Sequence, residues 1–192
     1  MNKISNMPDK EFFDSFFKLM FNNSQTRSIK KDYNTSKTIN SDVCSQCGGK
    51  CCKKCGCHFS PDDFEKISFE FLKKEIEKGY ISIDYVDGEI IFEDFGIYIL
   101  RVRNQNMPIV DTGFIRNTHC ILLTEKGCKL DYQNRPTGGK LLIPDEKFES
   151  HESLRCHSNY DIEDCCHEWK PYQKILCKLV TYFKDKDIPC SI

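Results

Sequence analysis

The chain has no apolar run near the ~18 residues of a membrane span, and its mean hydropathy is -0.53. It has little net charge: 28 basic against 29 acidic residues leave -1. Phosphate binding needs a visible positive excess, so nucleic acid is not the expected partner. No glycine-rich nucleotide loop follows a clear strand. No internal repeat and no alternation of strand and helix of the doubly wound kind is visible. The opening residues, MNKISNMPDKEFFDSFF, mix acids with phenylalanines. They lack a basic stretch followed by a clean apolar run and a small-residue cleavage site. The expectation is a cytoplasmic protein whose thiols are mostly reduced.

Cysteine is what the chain has in excess, with 13 in 192 residues. Six of them fall between Cys44 and Cys57, in CSQCGGKCCKKCGC. A loop that short cannot bury six thiols in a core of its own, and a reducing compartment disfavours disulfides. Thiolate coordination of a soft metal is the remaining use. Cys44 and Cys47 form a Cys-x-x-Cys step, whose tight turn aims both sulfurs at one ion, and Gly48-Gly49 let the backbone bend back. Cys51 and Cys52 are neighbours. Two neighbours on one tetrahedral ion are strained, which points to two metals or a larger cluster. Alternatively one thiol binds while the other packs as a small hydrophobe. Lys53-Lys54 would offset the negative charge of a thiolate site or form a solvated pair.

Cys57 completes five local candidates, and Cys120, Cys128 and Cys156 can arrive from elsewhere in the fold. Eight thiols suit two four-ligand sites, or one site with spare cysteines. Zinc takes four nitrogen or sulfur ligands, and iron–sulfur clusters are held by cysteine thiolates. Cys55 is a weaker candidate. Cys165-Cys166-His167 would point around different faces of a helix, with Cys166 toward the core. Cys177 reads as a packed thiol and Cys190 as an exposed one. His58 and His119 read as bystanders beside their cysteines, and His151 and His157 as surface residues.

Along the chain, residues 1–42 read as an N-terminal amphipathic helix and a polar linker, and 43–192 as the cysteine-cluster domain. Phe12, Phe13, Phe16, Phe17, Met20 and Phe21 share one helical face. That face suits either the core of the domain or a protein partner. Ser60-Pro61-Asp62-Asp63 starts a helix running to Gly79. Tyr80–Val86 reads as a strand, Asp87-Gly88 as a hairpin turn and 89–93 as its return. Ile97–Arg103 is a further strand. Arg101 and Arg103 share its Ile97 side, so that side is not expected to be uniformly buried. Residues 120–124 and 128–130 read as a short hairpin, and 141–143 as a small strand. Residues 161–184 are helical, kinked or split at Pro171. The fold class is α+β: a small cysteine-rich metal-binding domain with short antiparallel strands and flanking helices.

The run CSQCGGKCC with a further cysteine, the helix start SPDDF, and then HCILLTEKGCKL and NRP resemble the YkgJ-type cysteine-cluster proteins. These form the CxxCxxCC family of zinc- or iron-chelating domains. The resemblance runs from about Cys44 to the C-terminal helix. It implies metal ligation by Cys44, Cys47, Cys51, Cys52, Cys120 and Cys128. Two departures stand out. Three residues rather than two separate Cys47 from Cys51, and Gly139 stands where many members have a cysteine. The set would then be completed by Cys57 or Cys156. Flagellin lysine methylases, which resemble this family, carry a similar cluster and an iron–sulfur centre. That tilts the expected occupant from zinc toward iron–sulfur.

Three functional classes are open at this level. The first is a metal-binding protein whose centre organises the domain or transfers electrons. The second is a metal-dependent enzyme modifying a protein or peptide, with Asp111, Arg101, Arg103, Arg116 and Arg135 near a pocket. Against it, each of those residues reads more readily as a surface ion-pair partner. The third is an intracellular metal-handling or redox-sensing protein using exposed Cys55, Cys165 and Cys190.

Overall fold

A computed structural model describes residues 48–91, 94–111, 118–125, 127–144, 156–184 and 186. The N-terminal helix and linker, Cys44, Cys47, Arg116, His151 and Cys190 lie outside them. The described part is α+β, with three small sheets and flanking helices. Among the described residues no helix is long and apolar enough to cross a membrane.

The main sheet has three strands in the order β2-β1-β3. β1 is Ile81–Val86 and β2 is Ile97–Val102. They pair antiparallel, from Ile81 opposite Val102 to Val86 opposite Ile97. β3, Val110–Asp111, lies parallel to β1, with Asp84 opposite Asp111. The expected hairpin turn at Asp87-Gly88 is therefore wrong. The Asp87 carboxylate accepts from Glu89 N at 3.1 Å and caps a 3-10 turn over Gly88–Ile90. That turn takes the first residues of the expected return strand, and β1 pairs with β2 instead.

Helix α1 is Phe69–Glu77. The single helix expected from Ser60 is split. Ser60 and Asp63 form a capping box on the 3-10 turn Pro61–Asp63, and the chain is extended again at Phe64. Ser68 then caps α1. Gly79, at φ +92°, stops it as expected. A short helix, α2, covers Thr137–Lys140. The C-terminal segment divides at Pro171 into α3, Ile162–Trp169, and α4, Gln173–Lys184, through a 3-10 turn at Lys170–Tyr172. Two ribbons complete the fold. β4, Leu123–Thr124, pairs with β5, Gly127–Cys128. β6, Leu142–Pro144, pairs with β7, Cys156–Ser158.

α3 and α4 pack on β2, and α1 packs on β1 and α4. Leu72, Ile76, Ile81, Ile83, Ile99, Leu100, Trp169, Leu176 and Leu179 are buried at the junction. Both faces of the sheet are covered, including the side that carries Arg101. Arg101 and Arg103 are each 2% exposed, which corrects the expectation that this side is not uniformly buried and turns its arginines to a cleft or to water. Arg103 donates to the backbone, from Nε to Met107 O at 2.6 Å and from Nη1 to Gly79 O at 3.4 Å, whereas Arg101 is charge-paired. Arg101 Nε lies 2.5 Å from the Asp84 carboxylate, and its Nη2 lies 3.7 Å from Asp111. The parallel register sets those two acids side by side, and one guanidinium between them makes burial of all three tolerable.

Candidate metal centre

β2 and the residues just beyond it form the spine of the site. On its outer edge, Phe59 N donates to Leu100 O and Val102 N to Cys57 O, both at 2.9 Å. This lays Cys57-His58-Phe59 along the strand. Further on, Gln105 N donates to His119 O at 2.8 Å and Ile121 N to Arg103 O at 3.0 Å. Cys57 and Cys120 thus hang from one continuous edge. Cys120 N in turn donates to Cys52 O at 2.7 Å, tying in the cysteine-rich turn.

That turn exists because Gly48 and Gly49 hold φ of +62° and +69°, a region that side chains other than glycine resist. It closes through Lys53 N to Gly49 O at 3.0 Å and Lys54 N to Cys51 O at 3.1 Å. Curling the chain in this way brings the adjacent sulfurs of Cys51 and Cys52 to 3.9 Å. The two neighbours share one cavity without strain in the chain direction. Sulfurs ~2.3 Å from a tetrahedral ion stand roughly 3.8 Å apart, so this pair has the spacing of one edge of such a site.

β5 contributes Cys128, held by Lys129 N donating to Leu122 O at 2.8 Å. The segment at α2 closes the opposite side. Gly138 N donates to His58 O at 3.1 Å, and Asp63 accepts from Thr137 N and from Thr137 Oγ1, both at 2.8 Å. At Gly139 a side chain would begin 3.1 Å from Cys57 Sγ. Helix α3 grips the spine from behind, because Trp169 Nε1 donates to Phe59 O at 2.7 Å.

These segments enclose a cavity of about 240 Å³ lined by Cys51, Cys52, Cys55, Cys57, Cys120 and Cys128, with His58, Arg135 and Tyr160. Five of the eight thiols singled out in the sequence therefore face one space. Cys44 and Cys47 lie outside the described residues. Cys156 stands on β7 and is not among the cavity-lining residues, although Ser158 is. Cys55, only a weaker candidate by spacing, joins the cavity while remaining exposed. Cys165 is fully buried rather than exposed, its thiol donating to Phe59 O at 3.7 Å. It sits on the helix face that meets the spine, which removes it as an accessible thiol. Cys166 is buried on the same helix and His167 is exposed.

Burial and neighbouring sulfurs keep the Cys51, Cys52 and Cys57 thiols protonated. The Cys52 thiol is pushed up to about 12, first by its hydrogen bond with Cys120 and then by burial. Cys51 is raised further by its contact with Cys52 and by burial. Burial raises Cys57, with the neighbouring sulfurs of Cys52 and Cys128 adding to it. His58 is lowered to about 4 by burial and by the Arg101 charge, so its ring is neutral at pH 7. Packed thiols of this kind ionise readily only when a cation offsets their charge. Sulfur donors with a neutral imidazole nearby fit zinc or iron by donor chemistry. Among the described residues, no three Cys, His, Asp or Glu side chains already stand in an arrangement that could hold an ion.

No curated protein and no solved structure matches this chain. Residues 43–157 match the model of the CxxCxxCC family, described as "Putative zinc- or iron-chelating domain". That span covers well over half of the chain and includes every thiol of the cavity, and the protein belongs to the CxxCxxCC family.

Proposed function

We propose that this protein is a metal-binding protein whose cysteine-lined cavity seats an iron–sulfur cluster in thiolate ligation, with zinc as the competing occupant. The observation that carries the reading is the convergence of six thiols on one cavity from separate stretches of chain. Cys51, Cys52, Cys120 and Cys128 would hold the group, together with Cys57 and the family's first pair, Cys44 and Cys47. Six thiols exceed the four that a single zinc ion takes, which supports an occupant larger than a bare ion. The 3.9 Å spacing of Cys51 and Cys52 is what keeps single-ion zinc in contention.

Bound there, the group supplies soft-cation charge that offsets several thiolates, and a cluster adds one-electron chemistry. The chain's own contribution is architectural. The turn at Gly48-Gly49, the edge of β2, β5 and the α2 segment each bring one wall. Ligation joins those walls, so part of the binding free energy becomes folding free energy. The polar residues on the far wall are engaged locally: Ser158 Oγ donates to Tyr160 O at 2.8 Å, and Asp161 accepts from Asp164 N at 2.8 Å. A role in organising the domain or carrying electrons therefore has more support than acid–base catalysis.

The test is metal and labile-sulfide content with an absorption spectrum, on protein purified without oxygen. A brown protein with iron and sulfide is the expected result. A colourless protein with bound zinc would replace the cluster by a closed structural site. A folded protein holding neither would overturn the reading.

A further inference from the structure

Asn104 is 1% exposed and lies one residue past the Arg103 end of the spine. Its Oδ1 accepts from Gly56 N at 2.8 Å. That bond fixes the orientation of the carboxamide, because a backbone N–H must face the oxygen. The other atom, Nδ2, is buried and has no hydrogen-bond partner among the described residues. Buried polar groups in native folds are nearly always paired, and an orphan points to a partner missing from the bare chain.

Its position says what that partner is. Gly56 stands between Cys55 and Cys57. On the other side Asn104 forms an isolated antiparallel bridge with Cys120, whose N–H donates to Cys52 O. Asn104 therefore joins two segments that carry cavity thiols, and its orphan donor is buried at that junction. A neutral thiol is a weak acceptor and a thiolate is a strong one. Loading a metal deprotonates the ligating sulfurs, and hydrogen bonds to such sulfurs tune the affinity and potential of the centre.

We infer that Asn104 is a positioning residue of the metal centre, holding Gly56 through its oxygen and donating through Nδ2 to a thiolate sulfur once metal is bound. This rests on the proposed thiolate centre. The role is invisible in the sequence, where Asn104 is one of two asparagines in RNQN. It also separates Asn104 from a simple loop latch, which would use the oxygen alone.

Asn104→Asp tests it, because the variant keeps size and an oxygen for Gly56 but replaces the donor with an acceptor. Zn²⁺ dissociation constants of wild type and variant are measured by competition with a chromophoric chelator, beside melting of both proteins free of metal. The expected result is Zn²⁺ binding weakened roughly 10–100-fold, measured at a temperature where both metal-free proteins are folded, because an unpaired buried carboxyl by itself lowers the metal-free melting temperature. Equal affinities would overturn the inference. A variant destabilised without metal but unchanged in affinity would reduce Asn104 to the latch. A second reading needs no variant. In ¹⁵N-labelled wild type the Asn104 side-chain amide should shift and exchange more slowly on Zn²⁺ loading, and an unchanged signal would overturn the inference. A wild type that takes up neither zinc nor iron would bring down the proposed centre and this role together, whereas a loaded wild type matched by its variant brings down only this role.

Discussion

Cys52 is the thiol most tightly woven into the site. Its carbonyl accepts from Cys120 N, its sulfur lies 3.9 Å from that of Cys51, and its thiol is raised by Cys120. Cys52→Ser and Cys120→Ser should each weaken metal binding by roughly 3 kcal/mol, about a hundredfold, if the binding free energy of a four-thiolate site is shared among its ligands. Cys177→Ser is the control. That thiol is half-buried on α4, away from the cavity, and is raised to about 11 by burial alone. Metal retained per protein after gel filtration measures all three. Full retention in Cys52→Ser would remove it from the ligand set. Gly56 is constrained differently. A Cβ there would sit 2.0 Å from Val102 O, a backbone atom. Gly56→Ala should cost about 3 kcal/mol, the upper end for overpacking, and should lower retention by pushing Cys57 off the strand. Urea denaturation of the metal-free protein gives the first number. At this scale the sequence was most legible where residue type alone implies chemistry. Local clustering named Cys51, Cys52 and Cys57, and cysteine count and the family resemblance added Cys120 and Cys128; all five line the cavity, whereas Cys156, also named by count, does not. The sequence could not name Asn104, because an asparagine acquires a role only from what burial places around it. It also misjudged Cys165, since one helical residue cannot be assigned a face without knowing where the helix packs.

Among the elements, β1 carries a titration that can be followed. Asp84 is 1% exposed. Burial raises its carboxyl from an ordinary 3.8 to about 6, against the opposing pull of Arg101 and the hydrogen bond from Ser82. Between about pH 4 and 6 the folded chain therefore keeps a proton that the unfolded chain has lost. The contribution of Asp84 to stability falls as pH rises across that window and levels off above it. Asp84→Asn lacks this slope. The stability of wild type minus that of Asp84→Asn, from urea titrations at matched metal content, should shrink from pH 4 to 6 and then stay constant. A difference that grows with pH would mean that Arg101 outweighs burial. β1 and β2 were readable as strands, and the Pro171 break from the missing N–H, whereas β3 and β7 are too short to show in the sequence. The connection after β1 was not readable either. Asp-Gly favours a hairpin, but Asp87 is equally a good cap, and the pairing partner that decides between them lies beyond the turn. Arg101 and Arg103 were misread for a related reason. Two charges on one strand face read as facing a cleft or water until the register reveals Asp84 and Asp111 beside Arg101, and the fold brings Met107 O and Gly79 O to Arg103.

For the molecule as a whole, the cavity walls belong to stretches far apart in sequence, from the turn at Gly48 to the residues before α3. Each wall is tied to β2 or to its neighbours by one or two hydrogen bonds. Packing of α3 and α4 on β2 gives an apolar core apart from the cysteine turn, whereas the cysteine turn and the β4–β5 ribbon have few buried apolar side chains of their own. Removing metal should therefore loosen part of the chain rather than unfold it all. Hydrogen exchange should rise sharply over residues 48–57 and 119–128 in chelator-treated protein and change little over α4. Collapse of protection across α4 as well would mean that the centre holds the whole domain. The same experiment links to pH. Thiols held protonated in the metal-free chain must release a proton on ligation. Apparent affinity should then rise by about one decade per pH unit for each ligating thiol near neutrality. The slope of affinity against pH thus counts the thiolates in the centre without any structure of the loaded form. A slope near four fits one four-thiolate site, a markedly larger slope requires a second group of ligands, and a slope near zero would deny thiolate ligation altogether.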